Sequence, residues 1–313
     1  MLSRIANNLF WLGRYIERVE DTARFVEVQY YSYLDAPFIQ KKEIVLNSIL
    51  SMLGNPDYYF SKYNELSEEN TLYTAVLDKD NPTSIISSLM FARENARTTR
   101  DILSEELWEA INKFYHFLKD FPKKEFLKNP FELLHTIIEN TFIINGIIDR
   151  LLMKDLSWAF IKLGIDIERS AQLSRIILAK LEDIEKLKGQ TEVARRFQWK
   201  KLLESAAAID INNLLNKRAT DRDKVLELLT LNLNYPRSIS YNLQKIYEYL
   251  LFISPDKNEK VGTPEFEAGK LASRMKYTTI EDIKNIGIKE FYTEILDNIY
   301  KLASLIEKRY FIY

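Results

Sequence analysis

The stretch WLGRYIERVEDTARFV, residues 11–26, decides how the chain is read, because a near copy, KLGIDIERSAQLSRII, returns at residues 162–177. A shift of 151 positions places Leu12, Gly13, Ile16, Glu17, Arg18 and Arg24 on Leu163, Gly164, Ile167, Glu168, Arg169 and Arg175. Each copy lies inside an apolar seam with alternating steps of three and four. The first runs Leu2, Ile5, Leu9, Leu12, Ile16, Val19, Ala23, Val26, Tyr30, Tyr33. The second runs from Met153 through Leu156, Phe160, Leu163 and Ile167 to Ser170, Ser174, Ile177, Leu181 and Ile184. Such spacing predicts two long helices, each packed along one face.

The same period governs most of the remaining chain. Helices are expected near 82–103, 104–120, 130–153, 155–186, 192–217, 221–233, 236–253, 264–276 and 288–310, with only short helices in the Tyr- and Asn-rich stretch up to 80. Asn81-Pro82 and Ser104 read as helix starts, and Asn129 with Glu132 has the spacing of a capping box. Gly and Pro number only eight each, which favours long uninterrupted elements. No convincing alternating strand is present. The expected fold is all-α, one multi-helix bundle over 1–313 built by internal duplication with pseudo-twofold symmetry, its halves being 1–150 and 151–313. A fainter second repeat sets 85–103 on 225–243, pairing Arg97 with Arg237 and Thr98 with Ser238.

Composition excludes several functions. Basic residues number 44 against 45 acidic ones, so no net field favours nucleic acid or an anionic membrane. The chain has no Cys, which removes disulfides, thiolate catalysis and cysteine-bound zinc, and suits a reducing cytosol. No window reaches the ~20 apolar residues of a spanning helix, and the first residues lack a signal-peptide pattern. A cytoplasmic location is expected. A carboxylate-bridged metal bundle needs two Glu-x-x-His pairs, whereas Glu132-x-x-His135 stands alone and His116 follows Lys113 at that spacing. No metal or cofactor is expected.

The charged residues point to a site of another kind. On the first helix Glu17, Asp21 and Arg24 share a stripe flanked by Arg14 and Arg18, facing away from the apolar seam, and Glu168, Arg169 and Arg175 repeat it. Gly13 continues the stripe, and a glycine inside a helix costs about 1 kcal/mol against alanine unless something approaches closely. In FARENARTTRDIL, residues 91–103, Arg93 and Arg100 occupy seam positions, with Asn95 and Arg97 beside them. A buried guanidinium needs an anionic partner. Two readings follow: a register-fixing ion-pair network in which Glu17 and Glu168 partner these arginines, or an anion pocket with a carboxylate nearby. Tyr235-Pro236-Arg237-Ser238 can open a helix with Arg237 and Ser238 beside free backbone N–H groups.

MLSRIANNLFWLGRYIERVEDTAR, ARENARTTRDILSEELWEAIN, LGIDIERSAQLSR and YPRSISYNL together resemble the bacterial Alpha-E family, over most of the chain. The second copy departs from the family-like "LGR", since Ile165 follows Leu163-Gly164. The resemblance implies a helical domain without an established activity. It also implies association with ATP-grasp amide ligases and transglutaminase-like proteins, and so a peptide ligand. Two functions compete on this basis. One is a binding or accessory component of such a system; the other is an amide-bond enzyme with Glu17 or Glu168 as general base and an arginine-lined anion pocket.

Overall fold

The computed structural model describes residues 2–35, 41–54, 56–186, 191–217, 220–254 and 260–311. Among these residues it has sixteen α-helices and no strand. The first eight are α1 (Ser3–Asp35), α2 (Lys42–Leu53), α3 (Pro56–Lys62), α4 (Glu68–Val76), α5 (Ile85–Thr98), α6 (Glu105–Lys119), α7 (Lys123–Lys128) and α8 (Pro130–Leu151). The next eight are α9 (Leu156–Lys186), α10 (Glu192–Ser205), α11 (Ile209–Asn216), α12 (Arg222–Thr230), α13 (Ile239–Ile253), α14 (Pro264–Tyr277), α15 (Ile280–Ile286) and α16 (Ile288–Tyr310).

The two long helices form the centre. α1 packs on α2, α5 and α8, and α9 packs on the elements eight places later, α10, α13 and α16. The seam residues Leu9, Leu12, Ile16, Val19, Ala23 and Val26 are buried, as are Phe160, Leu163, Ile167 and Ile177. Each fully buried Leu or Ile stabilises the fold by about 1.5–3 kcal/mol. The ends of the seams are looser: Leu2 and Met153 are exposed. The remaining faces of α1 and α9 are turned towards each other, so both helices are buried almost all round.

Contacts between α1 and α9 rise together in sequence. Gly13 lies against Ile161 and Ile165, Glu17 against Arg169, and Gln29 against Lys180. The two helices therefore run parallel. Such a pair cannot be joined by a short turn, and the seven intervening helices supply the return path.

Several local expectations are corrected. The helix expected from Asn81-Pro82 starts at Ile85, with Ser84 as its cap; Asn81 instead donates to the Thr74 carbonyl and accepts from the Thr83 N–H. Asn129 precedes α8 but makes no capping bond, because its amide donates to the Glu132 carboxylate at 3.1 Å. The single helix expected over 192–217 is two, α10 and α11. Ala207 between them takes a positive φ of 55°, and the Tyr235 hydroxyl holds the Ala206 carbonyl at 2.8 Å. α2, α7 and α15 lie in stretches where no helix was expected. The proposed pairing of Arg97 with Arg237 is out of register. α4 and α12 are nine residues each and begin 154 positions apart, and Ser84 and Ser238, also 154 apart, cap α5 and α13. The predicted helix end at Ala36-Pro37 lies outside the described residues.

Candidate functional site

The site is built where α1 and α9 cross. An added Cβ at Gly13 would strike the Ile161 carbonyl, and one at Gly164 the Phe10 carbonyl, so two backbones touch through paired glycines. The charged side chains one turn further on then have no room to reach solvent and must find partners across the crossing. Arg169 Nε and Nη2 donate to the two Glu17 oxygens at 2.6 and 2.7 Å. Arg14 and Arg18 donate through Nε to Glu168 at 2.8 and 2.7 Å. Glu and Arg of one ER pair thus bind Arg and Glu of the other. Glu17 is wholly buried and Glu168 nearly so.

The next shell repeats less faithfully. On the Glu17 side the Arg237 guanidinium, held just before α13, donates to Glu20 at 2.8 Å, lies in close contact with Asp21, and sits 3.5 Å from Glu17. It supplies the cation missing where Ile165 replaces an arginine. Arg24 bonds Glu20 at 3.3 Å and covers the Phe142 ring, while Arg175 donates to the Tyr300 hydroxyl at 2.7 Å above its ring. Ser238 is spent on its cap, accepting from the Tyr241 N–H and donating to the Asn232 carbonyl.

The arginines of residues 91–103 do not join this cluster. Arg93 is half-buried over Trp108 and Tyr115 and donates to Asn112 and Glu94. Arg97 pairs with Glu94 and is exposed; Arg100 is exposed beside Trp108. Asn95 is half-buried on the same helix. The physical reason is phase: α5 buries Ile85, Ile86, Leu89, Ala92 and Ala96, which turns Arg93 and Arg97 away from α1, and Arg100 lies in a separate 3-10 turn past the end of α5. Glu17 and Glu168 are partnered by Arg169, Arg14 and Arg18 instead.

Two clefts open beside the crossing. The first, about 340 Å³, lies between α8, α9 and α13, and its walls include Glu20, Lys162, Asp166, Arg169, Arg237 and Tyr249. Its lining carries the carboxylates Glu20, Asp149 and Asp166 and the cations Lys162, Arg169, Arg237 and Lys245, with Glu17, Asp21 and Arg24 packed behind them. The second, about 150 Å³, is lined by Arg18, Thr22, Thr83, Gln172 and Arg175. On that face Arg14, Arg18 and Arg175 surround the single carboxylate Glu168. Asp21 was placed on the charged stripe of the first helix, but Asp166, Glu20 and Lys162 were not singled out from sequence as site residues. The signal that finds them is divergence between copies: Asp166 and Lys162 stand 151 positions from Tyr15 and Trp11.

Electrostatics follow from burial and from these pairings. Burial would raise Glu168, but Arg18 and Arg14 hold it at about 2, and Arg169 with Arg237 likewise outweighs burial at Glu17 and lowers it. Burial pushes Asp166 up to about 6 against Arg169 and Lys162. It pushes Asp21 up to about 8 against Arg237, helped by Glu17 and Glu20. The stability consequences have opposite signs. The Glu168 contribution is complete above its ordinary 4.5 and is lost as pH falls towards 2. Asp21 and Asp166 bind protons more tightly when folded, so stability falls as pH rises from their ordinary 3.8 through 6 to 8. The melting temperature is therefore expected to peak near pH ~4 and to decline on both sides. A melting temperature that climbs steadily from pH ~5 to ~8 would contradict this.

The histidines stay apart: His135 stacks on Phe131 near Glu27 and Glu139, and His116 lies on Tyr115. Among the described residues no three His, Cys, Asp or Glu side chains converge as metal ligands would, and no helix is long and apolar enough to cross a membrane.

No solved structure matches the chain. Uncharacterized proteins of Mycobacterium bovis and Mycobacterium tuberculosis are 21% identical to it over 322 residues, which covers 95% of this chain and 35% of each relative. The chain thus spans about a third of the length of the curated relatives it matches. A family described as a predicted alpha-helical domain with a conserved ER motif matches residues 1–311. Glu-Arg pairs stand at residues 17–18 and 168–169, where they exchange partners across the glycine crossing, and the chain belongs to this family, Alpha-E.

Proposed function

We propose that the protein is a binding, accessory component of a peptide-modifying system built on an ATP-grasp amide ligase, and that the cleft beside Arg18 and Arg175 receives a carboxylate of its peptide ligand. The observation that carries this reading is the cationic surplus on the Glu168 face: Arg14, Arg18 and Arg175 surround one carboxylate, and Arg18 and Arg175 line a 150 Å³ cleft whose lining has no carboxylate. Arg18 spends its Nε on Glu168, and Arg175 spends its Nε on Tyr300 and its Nη1 on Gln172 at 3.5 Å, so the Arg18 η nitrogens and Arg175 Nη2 are the groups left to meet a ligand. Planar guanidinium groups suit a carboxylate. The ligase and transglutaminase-like partners rest on the Alpha-E resemblance. The greater length of the mycobacterial relatives fits a helical module working beside other domains.

The competing reading, catalysis by Glu17 or Glu168 as base, is less well supported. A general base needs a free lone pair and a pKa near the working pH. Both carboxylates are clamped by arginine and lowered instead. We also infer that residues 1–313 form one domain that arose by duplication, because helix order, neighbours and caps recur eight elements apart.

The test is calorimetric titration with a glutamyl-glutamate dipeptide, and with inorganic phosphate to separate the two sources of anion. Arg175→Ala is expected to weaken the dipeptide about tenfold or more, one lost charge-assisted contact. Adding the protein to an ATP-grasp amide ligase is expected to raise ADP release with the dipeptide, and the Arg175→Ala protein is expected not to. Dipeptide binding unaffected by Arg175→Ala would reject the reading, as would binding of phosphate alone.

A further inference from the structure

The larger cleft carries charges of both signs, and its unspent capacity lies in an acceptor. Asp166 is only 3% exposed, yet its carboxylate receives a single long bond, 3.5 Å from Arg169 Nη1. An ionised carboxylate offers about four acceptor positions and a buried one is normally filled. The other charged groups of the cleft are already engaged. Glu20 takes Arg237 and Arg24, Lys162 holds Asp149 at 3.0 Å, and Lys245 holds Glu248 at 2.7 Å. An incoming anion would have to displace one of these carboxylates. An incoming cationic donor displaces nothing.

We propose that this cleft is a second binding site, for the free amine of an amino acid or peptide, with Asp166 accepting from its ammonium group. Tyr249 lines the same space, and an aromatic ring favours an ammonium ion, whereas the Phe142 and Tyr241 rings already carry Arg24 and Lys245. The volume of about 340 Å³ falls at the small end of ligand pockets.

The other copy of the repeat shows what packing alone prefers at this place. Asp166 and Lys162 correspond to Tyr15 and Trp11 at a shift of 151, and Lys245 corresponds to Phe91 at a shift of 154. Trp11, Tyr15 and Phe91 stack in a row, with successive ring centroids 5.3 Å apart. One copy is plugged by three aromatic rings, and the other keeps a buried aspartate under an opening. That carboxylate is costly to the fold, which an apolar residue would serve better. This inference stands apart from the carboxylate cleft on the Glu168 face and survives its failure.

The probes are trialanine and N-acetyl-trialanine, titrated calorimetrically into the whole protein at pH ~7.5. The free amine is expected to bind about tenfold or more tightly than the acetylated peptide, the worth of one charged hydrogen bond. Asp166→Asn is expected to erase that difference while its melting temperature stays level or rises. Lys162→Met, which removes a like charge beside the ammonium and frees Asp149, is expected to tighten trialanine several-fold. The affinity is also expected to drop as pH falls through about 6, where Asp166 takes a proton among Arg169, Lys162, Glu17, Asp149 and Lys245. Equal binding of the two peptides, binding of neither at millimolar concentration, or an amine preference unchanged in the Asp166→Asn protein would each overturn the proposal. Arg175→Ala is expected to leave the amine preference intact, so the two sites fail separately.

Discussion

Gly13→Ala and Gly164→Ala are each expected to destabilise the protein by about 3 kcal/mol or more, and the double variant is expected not to fold. A methyl group at either position meets a backbone carbonyl of the opposite helix, Ile161 from Gly13 and Phe10 from Gly164. A flexible side chain could swing aside; a helical carbonyl cannot move without separating α1 from α9. Separation costs more than the steric clash. It would pull Glu17 from Arg169 and Glu168 from Arg14 and Arg18, whose bonds of 2.6 to 2.8 Å exist only at this approach. Gly146 is the internal control. It sits inside α8, an added Cβ there meets nothing within 4 Å, and Gly146→Ala is expected to stabilise by up to about 1 kcal/mol through helix propensity. Urea denaturation of the three variants checks the contrast. Equal, small effects at Gly13 and Gly146 would show that the crossing is loose.

Glu168→Ala is the second large effect, a loss of about 3 kcal/mol. The carboxylate is nearly inaccessible and takes bonds from two guanidinium groups, whose side chains keep only 9% and 18% exposure. Removing it leaves Arg14 and Arg18 as like charges in a partly closed space, with Arg175 adding to the repulsion. Arg14 can lean on the Trp11 ring at 4.4 Å, but that contact already exists and offsets nothing new. Glu168→Gln is expected to recover part of the loss, since its amide oxygen still accepts one bond while the charge imbalance remains. Thermal denaturation at low and high salt separates the two contributions: the Ala and Gln variants are expected to gain stability with salt relative to the unaltered protein, as screening weakens arginine repulsion. A Glu168→Ala protein as stable as the parent would mean that the ER pair contributes nothing to the fold.

The long helices, their seams and the all-α class were legible because apolar spacing repeats without interruption and because Gly13 and Gly164 recur with Glu and Arg. What the glycines serve was legible only in outline. A glycine on a charged stripe signals close approach, but sequence does not say that the approaching backbone belongs to the other copy of the same motif. The arginines of residues 91–103 misled for a physical reason. Arg93 and Arg100 fit the heptad phase, yet Ala92 and Ala96 set a neighbouring phase that buries small residues and leaves Arg93 outward, and Arg100 lies past the end of α5. The break between α10 and α11 was hidden in Ala206-Ala207-Ala208, the best helix formers by propensity. A left-handed Ala207 and a hydrogen bond from Tyr235, distant in sequence, overrode them. Asp166 escaped notice because one aspartate in a helix is unremarkable until its counterpart is seen to be Tyr15.

The reciprocal pairing of Glu17 with Arg169 is the most direct point of attack, because it defines the ER motif as a clasp between helices. A double-mutant cycle with Glu17→Gln, Arg169→Met and the combined variant, followed by urea denaturation, measures that pair alone. Two short bonds in a buried setting predict a coupling of about 1–3 kcal/mol, so that the double variant loses less than the sum of the singles. Single effects that simply add would contradict the account, and would return Glu17 to the role of a free carboxylate awaiting a substrate.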